Sequence, residues 1–224
     1  MKYLITGTSS GLGFELASQL IRTNNVIGIS RNVGKFKKFS KLKHFNFIPF
    51  NLGFVEDEFK YSNFKKKLIE KISSDDFILI LNAAQFYSGE IRLSVSQVKD
   101  MFTINLFSIM NFIENLKKLN LKRILIVNSI SGLVGNPNQH EYVSSKHALM
   151  GYTKSLIKEA KNSNFDVMCI NPGGIKTELW DDYSNIDTSS FIEPKELARI
   201  IISLLDTKQK LFIESMVILP SDDV

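Results

Sequence analysis

Residues 128–146 read N-S-I-S-G-L-V-G-N-P-N-Q-H-E-Y-V-S-S-K and hold a serine, a tyrosine and a lysine at telling spacings. Ser129 comes thirteen residues before Tyr142, and Lys146 follows the tyrosine by four. Positions i and i+4 share one face of a helix, so the phenol and the ammonium would project together. Ser129 lies just after the apolar run 124–127, which is typical of a buried strand. The strand end would then aim a hydroxyl at the phenol, an arrangement that suits proton transfer at a carbonyl or alcohol oxygen.

The chemistry of such a site explains these three residue types. A free tyrosine has a pKa of about 10, which is too high for an efficient base near neutral pH. A nearby lysine cation favours the phenolate, and a close, partly desolvated charge supplies energy of the required order. Ser129 would hold the substrate oxygen by a hydrogen bond. The alternative is an incidental tyrosine–lysine pair on a solvated helix face. Further motifs in the chain are therefore needed to decide between the two interpretations.

Length and composition indicate one domain, residues 1–224, with a sizeable core. Hydrophobic residues make up 44% of the chain, which is ordinary for a globular protein. Apolar runs fall short of the roughly 20 residues that span a bilayer, and the first residues do not resemble a signal peptide. The lone Cys169 has no partner for an intrachain disulfide. We therefore expect a cytoplasmic protein without a metal site or a membrane partner.

The net charge of +5 is concentrated in two lysine-rich stretches. One comprises Lys35, Lys37, Lys38, Lys41 and Lys43 with Phe36 between them, and the other is 65–67. Basic stretches with interleaved aromatic residues can bind nucleic acid. The alternative, which we favour, is a solvated helix face, and such a field would also attract a phosphorylated cofactor.

A glycine-rich turn follows the first predicted strand, Tyr3–Thr6. The turn reads T-G-T-S-S-G-L-G, residues 6–13, and an amphipathic helix follows it. Strand, glycine-rich turn and helix form the context of phosphate binding at a helix N-terminus. Gly7 permits the tight turn, and Gly11 and Gly13 allow close approach of the backbone to a pyrophosphate and of helix to strand.

The rest of the chain alternates strands with helices, which predicts β-α-β units. The predicted fold is α/β, a doubly wound Rossmann-type domain with a mostly parallel seven-stranded sheet and helices on both faces. Ligands of such sheets bind at the carboxyl ends of the strands, where the glycine turn, Arg31, Asn82, Ser129 and 172–177 would gather. Further strands are predicted at 26–30, 46–50, 77–81, 124–127, 166–171 and 211–219, and helices at about 58–73, 98–119, 141–161 and 194–206.

Taken together, these motifs closely resemble the short-chain dehydrogenase/reductase family over nearly the whole chain. The resemblance implies an NAD(P)H-dependent oxidoreductase acting on a small carbonyl or alcohol substrate. It implies that Tyr142 is the acid/base, that Ser129 binds the substrate oxygen, and that Lys146 holds the nicotinamide ribose and lowers the tyrosine pKa. Asn105 would hold a water in a proton relay. The matching pieces are Thr6-Gly7-(x)3-Gly11-x-Gly13, Asn82-Ala83-Ala84, Asn105, Ser129, Tyr142-(x)3-Lys146 and Asn171-Pro172-Gly173-(x)3-Thr177.

The resemblance also implies a set of cofactor contacts. The Ile175 backbone and Thr177 would meet the carboxamide of the cofactor. The full set is Gly7, Ser9, Ser10, Gly11, Leu12, Gly13, Ser30, Arg31, Asn51, Leu52, Asn82, Ala83, Ala84, Tyr142, Lys146, Pro172, Gly173, Ile175 and Thr177.

Four departures from the family pattern stand out. Ala84 replaces a usual glycine, and Asn51 stands where an aspartate usually touches the adenine. Ser10 stands where many NADPH users have a basic residue. The tail 212–220 lacks a common Gly-Gly ending, which makes it more similar to the branch containing sepiapterin and benzil reductases.

The end of the second strand predicts the cofactor. An acidic residue there would accept hydrogen bonds from the 2′-hydroxyl of NADH and repel a 2′-phosphate. This chain has Ser30 and then Arg31, whose guanidinium can fork two hydrogen bonds onto a phosphate, with Asn32 and Lys35 as further candidates. We therefore predict NADP(H) as the preferred cofactor, with NAD(H) possible. The alternative is an exposed loop arginine on a basic protein.

The substrate and the assembly are less readable. Candidate pocket walls are 85–87, Ser131, Val134, His140 and Trp180, with His140 favoured as a surface or helix-start residue. The short loop 177–193, expected to be mobile, favours a small or planar substrate. Apolar helices 98–119 and 141–161 predict a homodimer or homotetramer, since the resemblance implies pairing across a two-fold axis. Two other functions are considered, a cofactor-sensing regulator and a nucleic-acid-binding protein. The presence of Tyr142 and Lys146 argues against the regulator.

Overall fold

The computed structural model describes residues 1–39, 42–87, 93–181, 183, 186–206 and 213–221. Strands and helices alternate along the chain, as the pattern predicts. The strands are β1 Lys2–Thr6, β2 Asn25–Ser30, β3 Phe45–Pro49, β4 Phe77–Leu81, β5 Leu121–Val127, β6 Asp166–Pro172 and β7 Ser215–Ile218. The helices are α1 Gly11–Leu20, α2 Glu58–Ile72, α3 Val95–Phe102, α4 Ser108–Leu116, α5 His140–Ala160 and α6 Pro194–Leu205.

The strands form one seven-stranded sheet in the order β3-β2-β1-β4-β5-β6-β7, and every described pair is parallel. The order reverses direction between β1 and β4, which creates the switch point of a doubly wound sheet. The predicted fold class is therefore confirmed. Because parallel strands all end at the same edge, the segments that follow β1, β2, β4, β5 and β6 meet there.

Each face of the sheet is covered by helices. Alternating residues of one strand point to opposite faces, so Leu4 packs with α2, α4 and α5, while Tyr3 and Ile5 pack with α1 and α6. Strands buried on both faces read as continuous apolar runs, which is why β4 is Phe-Ile-Leu-Ile-Leu.

Local signals set the starts of several helices. The Asp57 carboxylate accepts the Lys60 N–H at 3.0 Å and caps α2. Ser94 and Gln97 form a reciprocal capping box at the start of α3. Pro194 occupies the first turn of α6, where the missing N–H costs nothing.

Two predicted elements differ from the structure. The helix predicted at 98–119 begins earlier, at Val95, and is interrupted by a π-helical turn over Thr103–Phe107. The last strand is shorter than predicted, Ser215–Ile218, and the predicted positions Leu211 and Phe212 lie outside the described residues. Within the described residues, no helix is both long and apolar enough to cross a membrane.

The first basic stretch has an aromatic core. Gly34–Phe39 forms a 3-10 helix, and Phe36 is completely buried against the rings of Phe14 and Phe45. A ring buried in this way packs the protein and leaves no face on which a base could stack. Lys41 of this stretch lies outside the described residues.

Candidate functional site

A cavity of about 780 Å³ lies along the carboxyl edge of the sheet. Its wall includes the turn after β1 and the segments after β2, β4, β5 and β6, which the sequence predicted to gather. The predicted cofactor residues that line it are Gly7, Ser9, Ser10, Gly11, Leu12, Ser30, Arg31, Asn51, Leu52, Asn82, Ala83, Ala84, Tyr142, Lys146, Pro172, Gly173, Ile175 and Thr177.

The glycine turn leaves no room for side chains at its key positions. Gly7 and Gly11 have φ of +75° and +53°, in the left-handed region that favours glycine. A Cβ on Gly13 would lie 2.2 Å from the Gly7 carbonyl oxygen and 2.5 Å from Asn82 Nδ2. Gly13 is therefore a packing residue behind the turn and is not part of the described cavity wall.

The N-terminus of α1 opens onto this cavity and suits an anion. Its N-cap residue, Ser10, makes no side-chain capping hydrogen bond within the described structure, so N–H groups of the first turn remain for an external acceptor. The Glu178 carboxylate lies close enough to the Gly11 N–H for that group to lower its pKa. These donors and the absence of side chains fit the pyrophosphate of a dinucleotide.

Glu178 belongs to the 3-10 turn Glu178–Trp180 and pairs with Lys35, from the segment after β2. Burial alone would raise the pKa of Glu178, but hydrogen bonds from Lys35 and the backbone hold it below its usual value. This ion pair links the segment after β2 to the segment after β6. Lys35, a candidate for the cofactor phosphate, is therefore engaged with Glu178 in this structure.

Ser129, Tyr142 and Lys146 come together as their spacing predicts. Ser129 follows β5 and caps the 3-10 turn 130–132, accepting the Ser131 N–H at 3.1 Å. Tyr142 and Lys146 lie in the first two turns of α5, and the Ser129 side chain lies close enough to the Tyr142 phenol to lower its pKa. Lys146 is 2% exposed, with Nζ donating to the Asn128 carbonyl at 3.3 Å and lying 5.7 Å from the centre of the Tyr142 ring.

Burial dominates the protonation of this group. Burial raises the pKa of Tyr142 to about 12, although the Ser129 side chain opposes this, and it lowers the pKa of Lys146 to about 8. The net shift of the Tyr142 pKa is therefore upward, opposite to the lowering that the resemblance implies for the lysine. At neutral pH Tyr142 is a phenol, which is the form that donates a proton.

Asn105 lies in the π-helical turn and is fully buried. Its side chain pairs twice with the Gln85 backbone, accepting the N–H at 2.8 Å and donating to the carbonyl at 2.9 Å, and it donates to Ser145 Oγ at 3.1 Å. The polar residue in the helix is therefore satisfied by the segment after β4. Asn105 does not line the cavity described here, so its relay role stays a prediction.

The segment after β2 presents the predicted phosphate-binding side chains. Arg31 is exposed on the cavity wall, and Ser30 Oγ donates to the Asn32 carbonyl at 2.8 Å. Asn51, at the end of β3, accepts the Gly53 N–H at 3.0 Å, which leaves its amide donors for a partner.

The candidate substrate residues divide into two groups. Ser131 and Trp180 line the cavity, as do the three residues of 85–87. Val134 is 47% exposed and lies outside the described cavity wall, so its role in substrate binding stays a prediction. His140 is the first residue of α5, which agrees with the helix-start interpretation.

Sequence reasoning missed part of the wall beside Tyr142. Four aromatic side chains, which we call the aromatic wall, line the cavity there: Phe86, Trp180, Tyr183 and Phe191. Tyr183 and Phe191 belong to the loop 177–193, in which Trp180 is the predicted pocket residue. The parallel bridge between Ile175 and Ile192 brings the far end of that loop back to the sheet, and the sequence carried no local signal for it.

Comparison with known proteins identifies the family. A family model described as short chain dehydrogenase matches residues 2–186. The chain belongs to the short-chain dehydrogenase family. The relatives and solved structures described below include an oxidoreductase and an NADH-bound dehydrogenase, which agrees with the resemblance.

Two relatives illustrate the sequence similarity. The uncharacterized oxidoreductase YusZ of Bacillus subtilis is 31% identical over 186 residues, covering 79% of this chain and 66% of that protein. The 3-oxoacyl-[acyl-carrier-protein] reductase FabG of Rickettsia typhi is 33% identical over 200 residues, covering 85% and 79%. The chain spans about two thirds of the length of YusZ, and the predicted sepiapterin and benzil reductase branch stays a prediction.

Solved structures show the same fold. 4-Hydroxyisoleucine dehydrogenase complexed with NADH has a TM-score of 0.85 at 25% identity, covering 98% of this chain and 97% of that one. An alcohol dehydrogenase from Thermococcus sibiricus complexed with 5-hydroxy-NADP has a TM-score of 0.84 at 20% identity, covering 98% and 96%, and it speaks for the fold alone.

Proposed function

We propose that this chain is an NADPH-dependent carbonyl reductase. The observation that carries the proposal is the close grouping of Ser129, Tyr142 and the buried Lys146 on the wall of a cleft that begins at the N-terminus of α1. By its name, the FabG relative also reduces a carbonyl group.

The chain's own residues perform binding and proton transfer. Ser129 holds the carbonyl oxygen of the substrate, and Tyr142 donates its proton to that oxygen as negative charge develops there. The reduced nicotinamide supplies the hydride for the carbonyl carbon. One hydride and one proton thus convert the carbonyl to an alcohol. A Tyr142 pKa of about 12 keeps the proton on the phenol at neutral pH, and this is the form that a reduction requires.

Cofactor preference rests on the end of β2. The exposed Arg31 can contact a 2′-phosphate. Neither Ser30 nor Arg31 is acidic, so these positions do not supply the carboxylate that would bind the 2′-hydroxyl of NADH. The similar solved structures are complexed with either NADH or an NADP derivative. The proposed preference for NADPH therefore depends on Ser30 and Arg31.

The same proposal includes a homo-oligomer, a dimer or tetramer, in the cytoplasm. Phe107, in the π-helical turn, and Met110, in α4, are 42% and 37% exposed, whereas Ile109, Phe112 and Ile113 of α4 are buried. An obligate two-fold interface would bury about 2,000 Å² or more. Light scattering that gives a monomer of 25.5 kDa at micromolar concentration would rule the assembly out.

Removing one hydroxyl tests the catalytic assignment. With NADPH and a panel of aldehydes and diketones, Tyr142→Phe should lower turnover by about 10²–10⁴-fold, since that is the usual contribution of general acid catalysis. Its dissociation constant for NADPH should stay near that of the wild type.

Tyr152→Phe is the matched control, because it removes the same group from the same helix. The Tyr152 hydroxyl is buried and has no hydrogen-bond partner in the described structure, so its loss should leave turnover unchanged. Tyr142→Phe with most of the wild-type turnover would contradict the proposal.

A further inference from the structure

The polar ends of the aromatic wall are tied to backbone. Trp180 Nε1 donates to the Ile175 carbonyl at 2.8 Å, and the Tyr183 hydroxyl donates to the Phe86 carbonyl at 3.4 Å. Buried aromatic side chains normally find such partners for their polar atoms. With these donors engaged, the wall offers a ligand mainly carbon surfaces and ring edges.

The rings also hold each other in place. The ring of Phe86 meets the ring of Tyr142 edge-on, with 4.8 Å between the ring centres. The centre of the Phe86 ring also lies 5.0 Å from that of Trp180 and 5.4 Å from that of Tyr183. Phe191 meets Trp180 at 5.2 Å and lies directly over Gly174, where a Cβ would be 2.8 Å from the ring. A wall of mutually packed rings keeps its shape without a ligand, so little ordering entropy is lost on binding.

Charged groups on the described cavity wall either lie at the end of β2 or are already engaged by protein groups. Arg31 follows β2, Glu178 pairs with Lys35, and Lys146 is buried with its ammonium on the Asn128 carbonyl. Near the aromatic wall the described polar side chains include Asn136, which donates to Ser131 Oγ at 2.8 Å, and Gln139. An anionic substrate would lose its hydration here without gaining a partner from this part of the wall.

We propose that the substrate is an uncharged carbonyl compound that carries an aromatic ring, with the ring packed against the aromatic wall. This inference rests on the proposed reductase function and names its substrate class. Aromatic pairs contribute about 0.5–1.5 kcal/mol beyond burial of area. Two such contacts correspond to a preference of roughly 5- to 150-fold over a saturated ring of the same size.

The first experiment compares ketones that differ only at the ring. Phenylacetone should be reduced by the wild-type enzyme with a kcat/KM at least about 5-fold above that of cyclohexylacetone, whose carbonyl is equally unconjugated. 4-(2-Oxopropyl)benzoate should be poorer than phenylacetone by about 10-fold or more, because the carboxylate is desolvated without a partner.

Two further probes can overturn the assignment. A trimethylammonium group in the same para position would be preferred if the wall serves a cation through its ring faces instead. A 3-oxobutanoyl thioester reduced better than phenylacetone would favour an aliphatic acyl substrate.

A second readout separates binding from chemistry. Trp180 is the only tryptophan of the 224 residues, so its emission reports directly on the aromatic wall. In the Tyr142→Phe variant with cofactor bound, phenylacetone should change this emission at a several-fold lower concentration than cyclohexylacetone. Phe191→Leu should reduce that preference about 3-fold, whereas Phe59→Leu, at a side chain 79% exposed, should not.

The outcomes distinguish the two proposals. Reduction of both ketones with equal efficiency overturns the aromatic assignment and leaves the reductase intact. Preferential binding of phenylacetone without reduction in the wild type overturns the reductase and leaves the aromatic site intact. Equal or absent responses of Trp180 to the two ketones overturn the aromatic site.

Discussion

The two halves of the cleft are built from different parts of the chain. The cofactor half consists of a glycine turn, an uncapped helix N-terminus and short polar side chains at strand ends. The substrate half consists of large rings from two segments about 95 residues apart, which meet at Phe86 and Trp180. A dinucleotide has the same phosphates in every enzyme, so the first half can be recognised from spacing, whereas the second half depends on contacts that only the folded chain creates.

The largest effect that would sharpen this contrast is expected at Gly13. Gly13→Ala would place a Cβ 2.2 Å from the Gly7 carbonyl oxygen, and backbone must move to admit it. We expect the free energy of unfolding to fall by at least about 3 kcal/mol, measured by urea denaturation.

Gly135→Ala is the control for this change, because a Cβ there meets nothing within 4 Å of the described structure. It should alter stability by less than about 0.5 kcal/mol. Equal free energies of unfolding for the two variants would mean that the backbone around Gly13 moves to admit a side chain more easily than its contacts indicate.

The next effect concerns the choice of cofactor. Hydrogen bonds to charged groups contribute about 1.5–3 kcal/mol, so Arg31→Ala should weaken the use of NADPH by roughly 10- to 150-fold and change NADH little. Ser30→Asp should go further, because it adds repulsion of the phosphate and a partner for the 2′-hydroxyl.

The measurement is kcat/KM for both cofactors in the wild type and both variants. A wild type that prefers NADH, or an Arg31→Ala loss shared equally by both cofactors, would mean that the 2′-phosphate is not recognised at this position.

Lys146 lies between the two halves and gives a pH signature. Burial lowers its pKa to about 8 from an unfolded value near 10.5, so between these values the unfolded chain binds more protons. Stability from this group therefore rises with pH above about 8, by about 1.4 kcal/mol per unit. Tyr142 opposes this only above about pH 10, where the unfolded phenol loses its proton first.

The unfolding free energy of wild type minus that of Lys146→Met should thus grow by about 2 kcal/mol from pH 7.5 to 9.5. Denaturant titrations at the two pH values measure it. The same difference at both would show that the folded ammonium is not held at a lowered pKa.

The smallest effect is expected where Glu178 reaches over the cofactor half. Its carboxylate lies near the Gly11 N–H at the start of α1, where a phosphate would bind. Interactions of an anion with a helix N-terminus contribute about 0.3–1 kcal/mol, so Glu178→Gln should lower the cofactor dissociation constant by about 2- to 5-fold.

Calorimetric titration of cofactor into Glu178→Gln measures this effect. Glu159→Gln, which breaks an ion pair with Lys117 between α5 and α4, is the matched control and should change nothing at the cleft. Weaker cofactor binding by Glu178→Gln would instead mean that the carboxylate supports the bound state.

Local patterns predicted the frame of the molecule well. Phe77–Leu81 was predicted to the residue, because a run of five buried apolar side chains has a single interpretation between two helices. The gathering of the glycine turn, Ser129 and 172–177 also followed, since parallel strands end at one edge.

Contacts between distant residues account for what was not predicted. The π-helical turn at Asn105 depends on the backbone of Gln85, twenty residues earlier. The aromatic wall depends on the bridge between Ile175 and Ile192. Spacing placed Lys146 beside Tyr142, but the depth of burial, which reverses the expected sign of the tyrosine pKa shift, appears only in the folded chain.

The π-helical turn also has a consequence for chain length. Each residue turns an α-helix by about 100°, and a π turn accommodates one residue more than an α turn. Deleting one residue between Thr103 and Phe107 would let 95–116 continue as a regular α-helix, but it would rotate the helix on one side of the deletion relative to the other. Either Asn105 would turn away from Gln85, or Phe112 and Ile113 would turn away from the sheet. A one-residue gap at this point in a related sequence should therefore coincide with a different residue at the position of Asn105.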